Sequence, residues 1–345
     1  MKRLLASAFL LLLACFAAVP AAAEDAAQSA NLAAPGWHGN AIAYSGYRQG
    51  QNPDLGLYPT QDQVLQDLRI VAKNWKIIRL YSSDRHAEDV LQIIRRENIP
   101  LKVMLGVWLD GKPEKLNANS LQIVRAIRLA NAYPEVVAAV NVGNEILVSW
   151  SDHRLTEDRA LAYVAEVKQA VRCPVTVADD SLYWRDPAAK LAGAVDFITV
   201  HTYPLWNGED IDTAMASTVK VYEMVRAAHP GKTVVIGEAG WASYTDSPKN
   251  VLYAGSEEKQ KRYYDELTAW AEANAVTVFV FEAFDEPWKG GGTEGHWGLF
   301  SEGRKAKLVM RERFPELASD LPTSPGYGGA EAAASAVVSQ NKENR

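Results

Sequence analysis

Residues 136–145 read VVAAVNVGNE. The run is apolar on consecutive rather than alternate positions, which is the pattern of a strand covered on both faces, as in a parallel sheet. It ends on glycine, asparagine and a carboxylate, so the charge arrives where the strand stops. Residues 233–241, TVVIGEAGW, repeat the design. Six further runs fall at Ala41 to Ser45, Lys76 to Tyr81, Leu101 to Trp108, Val175 to Asp179, Val195 to His201 and Val276 to Phe281. The segments between them carry helical period. After Pro59-Thr60 the stripe is Val64, Leu65, Leu68, Val71 and Ala72; later it is Leu161, Val164, Ala165, Lys168 and Val171, then Glu258 to Glu272, while Pro230-Gly231 closes another helix. Eight βα units between residues 36 and 314 predict an α/β fold, a (β/α)8 TIM barrel in a single domain. A doubly wound open sheet holding a dinucleotide needs a glycine turn after its first strand, and Ala43-Tyr44-Ser45-Gly46-Tyr47 is not one.

The two ends read differently. Lys2 and Arg3 precede the apolar run Leu4 to Val19, and Ala21-Ala22-Ala23 offers a small-residue cleavage site, so residues 1–23 are expected to be a secretory signal peptide and residues 24–35 a short linker. The protein is then secreted, or held in the periplasm or cell envelope. Leu12-Leu13-Ala14-Cys15 also fits a lipid-attachment box, with the anchor on Cys15. Residues 315–345, rich in Ala, Ser, Gly and Pro, read as a disordered tail. No later window is apolar for long enough to span a membrane.

With 36 basic and 42 acidic residues the chain carries 36 − 42 = −6, and −8 once Lys2 and Arg3 are removed. Nucleic acids and anionic lipids bind through clustered cations, so neither is an expected partner. At 48% apolar and 23% charged residues the chain has material for a core, which excludes global disorder. Cleavage at residue 23 leaves Cys173 as the single thiol, read as a small buried residue, so stability comes from packing and not from a disulfide.

A barrel works at the C-terminal ends of its strands. Here those ends carry Tyr44, Arg79 with Tyr81 and Asp84, Trp108, Asn144-Glu145, Asp179-Asp180, His201 with Tyr203, Glu238, and finally Glu282, Asp285 and Glu286. Of ten tryptophans, Trp108, Trp150, Trp184, Trp206, Trp241, Trp288 and Trp297 follow a strand within a few residues. Indole faces stack on sugar C–H faces while acids and amides grip hydroxyls, so the ligand expected is long, neutral and hydroxylated.

Glu145 and Glu238 each end an apolar strand beside glycine, where a carboxylate is costly without a partner or a task. Glu238 shares parity with Val234 and Ile236, which predicts that all three point to the barrel axis. Two carboxyls converging from the fourth and seventh strands would lie about 5–5.5 Å apart, the separation for retaining cleavage of a glycosidic bond. The plain alternative for each is a salt bridge to a neighbour such as Arg79.

On Asn144-Glu145 and Gly237-Glu238-Ala239-Gly240-Trp241 the chain resembles glycoside hydrolase family 17, the β-1,3-glucanase family. The likeness extends to Ile42-Ala43-Tyr44-Ser45, Ile78-Arg79-Leu80-Tyr81, Leu105-Gly106-Val107-Trp108, Asp196 to His201, Phe284 to Lys289 and Glu294 to Phe300. The resemblance implies an endo-acting retaining enzyme on β-1,3-glucan, with Glu145 as general acid/base, Glu238 as nucleophile and Asn144 on the sugar 2-hydroxyl. It further implies that Glu286, Lys289 and Glu294 stand behind the nucleophile, that Tyr44, Tyr81, Tyr203 and Trp241 line subsites, and that no cofactor or metal is needed. Ala242 after Gly-Trp and Thr202 to Trp206 depart from plant members and are closer to the bacterial and fungal wall-associated branch. That leaves a glucanosyltransferase, in which a sugar hydroxyl replaces water, as the alternative.

A noncatalytic carbohydrate-binding barrel is disfavoured by retention of both glutamates. His153, His201 and His296 could supply metal ligands, but no pair has metal-type spacing, and no Gly-x-Ser-x-Gly turn supports a serine hydrolase. A monomer is expected.

Overall fold

The computed structural model describes residues 32–34, 38–246 and 254–318. The expected signal peptide, its cleavage site and Cys15 lie outside the described residues. Eight strands close in sequence order into one all-parallel barrel: β1 (Asn40–Ala43), β2 (Ile77–Arg79), β3 (Lys102–Val107), β4 (Val137–Asn144), β5 (Val175–Asp180), β6 (Ile198–Thr202), β7 (Val234–Ala239) and β8 (Val278–Val280). Each coincides with one of the eight apolar runs, trimmed or shifted by a few residues.

The helices are α1 (Gln61–Val71), α2 (Arg85–Arg96), α3 (Leu116–Ala132), α4 (Glu157–Ala170), α5 (Ser181–Trp184), α6 (Leu191–Ala194), α7 (Ile211–Ala228) and α8 (Glu257–Ala273). Side-chain caps start them where the sequence provides an oxygen. Thr60 and Gln63 form a reciprocal capping box on α1, and Thr156, Asp210 and Ser256 cap α4, α7 and α8. The expectation of eight regular βα units needs correction in two places. The β5–β6 crossover is split into the single turns α5 and α6, and β8 is followed among the described residues by 3-10 turns and no α-helix. Gly290, Gly291 and Gly292 after Pro287 leave that stretch little helical propensity.

Two apolar layers hold the barrel. The larger packs strands against helices, and the smaller fills the barrel floor with Ala41, Ile77, Met104, Ala139, Phe197, Val235 and Phe279. Leu32, in the expected linker, is fully buried in that floor, and Thr233 donates to the carbonyl of Ala33 at 3.0 Å. Packing also continues beyond Phe314: Ala306 donates to Leu317 and bridges Ala318. The chain's folded contacts are therefore wider at both ends than residues 36–314.

The floor layer corrects the facing assigned to β7. Val234 and Ile236 belong to the layer against the helices, and Val235 is the residue inside. Glu238 reaches the interior because β6 and β7 slip register between Val200 and His201, pairing His201 with Glu238 and leaving Gly237 as the extra residue. Such a bulge re-aims the side chain that follows it. Only glycine fits there, since a Cβ on Gly237 would lie 2.3 Å from Thr199 Cγ2. A second slip, in β4 against β5, lies between Asn141 and Asn144, where Gly143 takes φ +100° and Glu145 φ +50°. Left-handed backbone at a glutamate is strained, and such strain gathers at working sites.

Candidate active site

At the top of the barrel the two bulges aim Glu145 and Glu238 at each other across His201. One carboxylate oxygen from each glutamate and one ring nitrogen of His201 all lie within 4.8 Å of one another. His201 is fully buried, with Nδ1 2.9 Å from Glu145 Oε1 and 3.6 Å from Glu238 Oε2.

Glu238 is held by three side chains. Arg79, fully buried on β2, forms an ion pair with its Oε1, Tyr81 donates to the same oxygen at 2.9 Å, and Tyr203 donates to Oε2 at 2.5 Å. Burial alone pushes this carboxyl up. The His201 ring, the Arg79 charge and the hydrogen bonds from Tyr203 and Arg79 outweigh it and bring the pKa from 4.5 down to about 2. Arg79 also donates to Gly237 O at 3.2 Å and to Asn144 Oδ1 at 2.5 Å, and lies 4.6 Å over the Tyr81 ring, so one guanidinium ties β2, β4 and β7 together. The salt bridge foreseen for Glu238 is present. It serves to keep the carboxylate ionised inside the barrel.

Behind this pair sits a second buried acidic group. Lys289 forms an ion pair with Glu286 and stands 3.7 Å from Glu282, while Trp288 Nε1 donates to Glu286 at 3.0 Å. Burial raises both acids. Lys289 and the hydrogen bonds nonetheless bring Glu286 below the usual range, whereas the neighbouring Glu286 charge adds to burial and drives Glu282 well above it. The carboxylate that Lys289 keeps ionised is thus Glu286. Glu294 faces the cleft, its carboxyl raised mainly by burial.

The cleft runs in two directions from Glu238. A cavity of about 880 Å³ is lined by Glu145, Trp150, Leu182, Tyr203, Trp206, Met224, Glu294 and Trp297. A second of about 520 Å³ is lined by Tyr47, Tyr58, Tyr81, Trp108, Asn144, Glu286, Trp288 and Lys289. Five of the seven strand-end tryptophans therefore face the cleft. The other two correct the reading: Trp184 is buried, and Trp241 lines neither cavity. The Trp241 ring packs on Tyr263, 5.9 Å between centroids, and its N–H is spent on Ala254 O at 3.2 Å. Tyr44 touches the smaller cavity, but it is almost wholly buried and its hydroxyl is 3.3 Å from Asp67, so little of it is left for a ligand.

Sequence reasoning placed Arg79 and His201 at strand ends and offered Arg79 as a salt-bridge partner, but gave His201 no role toward the two glutamates. The signal was a charged or titratable side chain closing an apolar barrel strand.

The Glu145, His201 and Glu238 atoms are close enough to chelate an ion, yet the donor set argues for a proton network. A ligating histidine gives its other N–H to an acceptor, and His201 Nε2 is buried with no hydrogen-bond partner among the described residues. The tautomer that would free Nδ1 for a metal would bury an unpaired N–H, so the proton belongs on Nδ1, facing the carboxylates. Glu238's two oxygens are already taken by Arg79, Tyr81 and Tyr203.

Comparison with known proteins gives the family. A putative glucan endo-1,3-beta-glucosidase, btgC, of Aspergillus niger is 29% identical over 276 residues, 72% of this chain and 40% of the relative. The chain thus spans well under half the length of the Aspergillus proteins it matches. A glucan 1,3-beta-glucosidase of Arthroderma benhamiae is 26% identical, covering 76% of this chain and 89% of the relative. Among solved structures, an endo-laminarinase from Formosa superposes with a TM-score of 0.73 at 27% identity, over 87% of this chain and 94% of that one. A family 17 β-1,3-glucanosyltransferase from Rhizomucor miehei shares the fold, with a TM-score of 0.67 at 24% identity over 79% and 96%. Residues 41–298 match the model of the BtgE/BtgC glycoside hydrolase domain, and the chain belongs to that family.

Proposed function

We propose that the chain is a retaining glycoside hydrolase that cleaves β-1,3-glucan within the chain, with Glu238 as nucleophile and Glu145 as acid/base. The observation that carries this is the pair of carboxylates within 4.8 Å, one of them held ionised. A Glu238 oxygen attacks the anomeric carbon, the glycosidic C–O bond breaks, and the leaving oxygen takes the proton of Glu145. Water then attacks the glycosyl ester, gives its proton to Glu145 and returns Glu238 as carboxylate.

The cleft's two arms support internal cleavage and a direction for the sugar chain. Glu145, which must reach the leaving oxygen, lines the larger cavity alone; Asn144, suited to the 2-hydroxyl of the attacked sugar, lines the smaller alone; Glu238 lines both. The leaving portion thus occupies the larger arm. The half-exposed Trp150 there favours, as the second reading, a sugar acceptor in place of water and hence glucanosyl transfer. The oligosaccharide product profile separates the two: products longer than the supplied chain establish transfer, and their absence at high substrate establishes hydrolysis.

Glu145→Ala is expected to lower turnover of an oligosaccharide by about 10²–10⁴-fold. It should spare cleavage of a dinitrophenyl glycoside, whose leaving group needs no proton, and added azide should restore its turnover as the glycosyl azide. Equal loss on both substrates would falsify the acid/base role. The same proposal includes secretion through residues 1–23, a catalytic domain that takes in Leu32 and Ala33 before residue 36 and Leu317 and Ala318 after residue 314, and action as a monomer on a neutral glucan. No helix among the described residues is long and apolar enough to cross a membrane.

A further inference from the structure

We propose that the larger arm of the cleft ends in a groove between α5 and α7 that selects, among glucans, those bearing an oxyanion on the leaving portion, with Arg185 and Lys220 as the specificity-determining residues. This goes beyond the neutral backbone proposed above and rests on the retaining reading and on the direction given there for the sugar chain.

The groove follows from the split crossover. In an unbroken ring of eight helices a full-length helix between β5 and β6 would lie against α7, but here that place holds the single turn α5 and then α6. The other side of α7 is covered by α8, where Thr218 and Tyr263 share a hydrogen bond at 2.6 Å and Tyr222 meets Trp270 edge to face. The α5 side is open. Ser217, Lys220, Val221 and Met224, spaced as one helical stripe about 10 Å long, line the same cavity as Glu145, and so do Leu182 of α5 and Arg185 just after it. His229 Nε2 donates to the Trp184 carbonyl at 2.7 Å and pins α5 to the end of α7.

The chemistry here differs from that of the barrel mouth. Leu182 and Met224 are 46% and 41% exposed, and open apolar surface that continues a cleft marks a ligand groove. Beside them stand two cations, in a chain whose net charge is −6. Neither Arg185 nor Lys220 has an ion-pair partner among the described residues. Of the acids next to them in the chain or on the adjoining wall, Asp180 accepts from Leu182 N at 2.7 Å, Asp186 from Ala188 N at 2.9 Å and Glu209 from Thr213 Oγ1 at 2.9 Å, while Glu223 pairs with Arg226 at 3.1 Å. A carboxylate or phosphate ester on the sugar chain engages both free cations, the guanidinium by a two-pronged contact and the ammonium as a point charge. Nearer the scissile bond Glu145, Glu238 and Glu294 repel an anion, so the preference belongs to leaving portions long enough to reach α7.

The test uses the full chain and a length series of laminari-oligosaccharides. Their reducing end, which belongs to the leaving portion, is converted to the neutral alditol, to the aldonate, or to the alditol 6-phosphate. In the longer members kcat/KM for an anion should exceed that for the alditol by about five- to tenfold at low salt, the scale of two exposed charge contacts. The excess should vanish at about 1 M salt, where the Debye length is about 3 Å. Preference for both anions reports charge alone, and preference for one identifies the substituent. The ratio is read within each variant, so a general change in activity cancels. It should fall to about one in the double variant Arg185→Gln, Lys220→Gln and below one in Arg185→Glu, Lys220→Glu. A wild-type ratio of about one at every length for both anions, or a ratio that survives in the glutamine variant, overturns the inference. Glu238→Gln separates it from the reading beneath it. If that variant is inactive and wild type cleaves alditol and anions alike, only the selectivity of the groove fails; if it cleaves the alditols normally, both fail.

Discussion

Glu238→Gln is expected to reduce sugar release from a linear β-1,3-glucan by on the order of 10⁴–10⁶-fold in kcat, the scale seen when a covalent nucleophile is removed, with binding of the glucan largely kept. Glutamine preserves the shape of the side chain and an oxygen that can accept from Tyr81 or Tyr203, so the cleft and its aromatic walls stay in place. What it lacks is the negative charge that Arg79 and His201 are arranged to hold, and no other carboxylate substitutes for it. Glu282 and Glu286 lie behind it, the first with its carboxyl pushed well above the usual range by burial and by its neighbour and the second paired with Lys289. Reducing-sugar release and calorimetric titration with an inactive-length oligosaccharide measure the two quantities separately. Unchanged turnover would remove Glu238 from the mechanism, and loss of binding in parallel with turnover would assign it to recognition instead.

The second large effect is expected from Arg79→Met. Methionine fills the volume but removes the cation paired with Glu238 and the donor to Asn144 Oδ1 and the Gly237 carbonyl, and breaking a buried ion pair by removing one partner costs about 3–5 kcal/mol. The pH dependence has a definite sign. Glu238 has a lower pKa folded, about 2, than its ordinary 4.5. Its ionisation therefore contributes about 3 kcal/mol of stability that is complete above about pH 4.5 and is lost as pH falls through 2. Without Arg79 the folded value climbs toward or past the ordinary one. The stability gap between wild type and variant should be widest above pH 5 and close in acid, and the acid limb of kcat/KM should move to higher pH. Denaturant melts between pH 3 and 7, with a pH–rate profile, check both; a gap independent of pH would mean that Arg79 acts by packing alone.

The barrel was legible because its signal is local and repeated. Short apolar runs with no alternation, each followed by a helical stripe, leave few folds open, and eight in order leave essentially one. Both glutamates were legible for a related reason: an acid closing an apolar strand beside glycine stands out against the burial around it. Glu238 points inward as expected, but not for the reason the sequence offered. Its parity with Val234 and Ile236 pointed it at what proved to be the helix layer, and the extra residue Gly237 reversed that. A glycine inside a strand hints at a bulge, but which neighbour it must clear, here Thr199, belongs to the adjacent strand. Trp241 failed for the opposite reason. It sits in the most family-like stretch of the chain, yet its indole turns down onto Tyr263 and Ala254, a choice set by α8 and the segment before it.

The amino-acid sequence by itself determined the order of strands and helices, the closed barrel, the end of it that carries chemistry, and the acids and aromatics gathered there, because periodicity and strand-end composition are properties of neighbouring residues. Only the tertiary structure decided that Arg79 pins Glu238 as an anion, that His201 stands between the two glutamates, and that Glu145 and Asn144 open onto different arms of the cleft. Those facts depend on side chains from β2, β4, β6 and β7, some 160 residues apart at the widest, meeting at distances of about 3 Å. Electrostatic coupling is set by such distances and by burial, and neither is written in the spacing of residues along the chain.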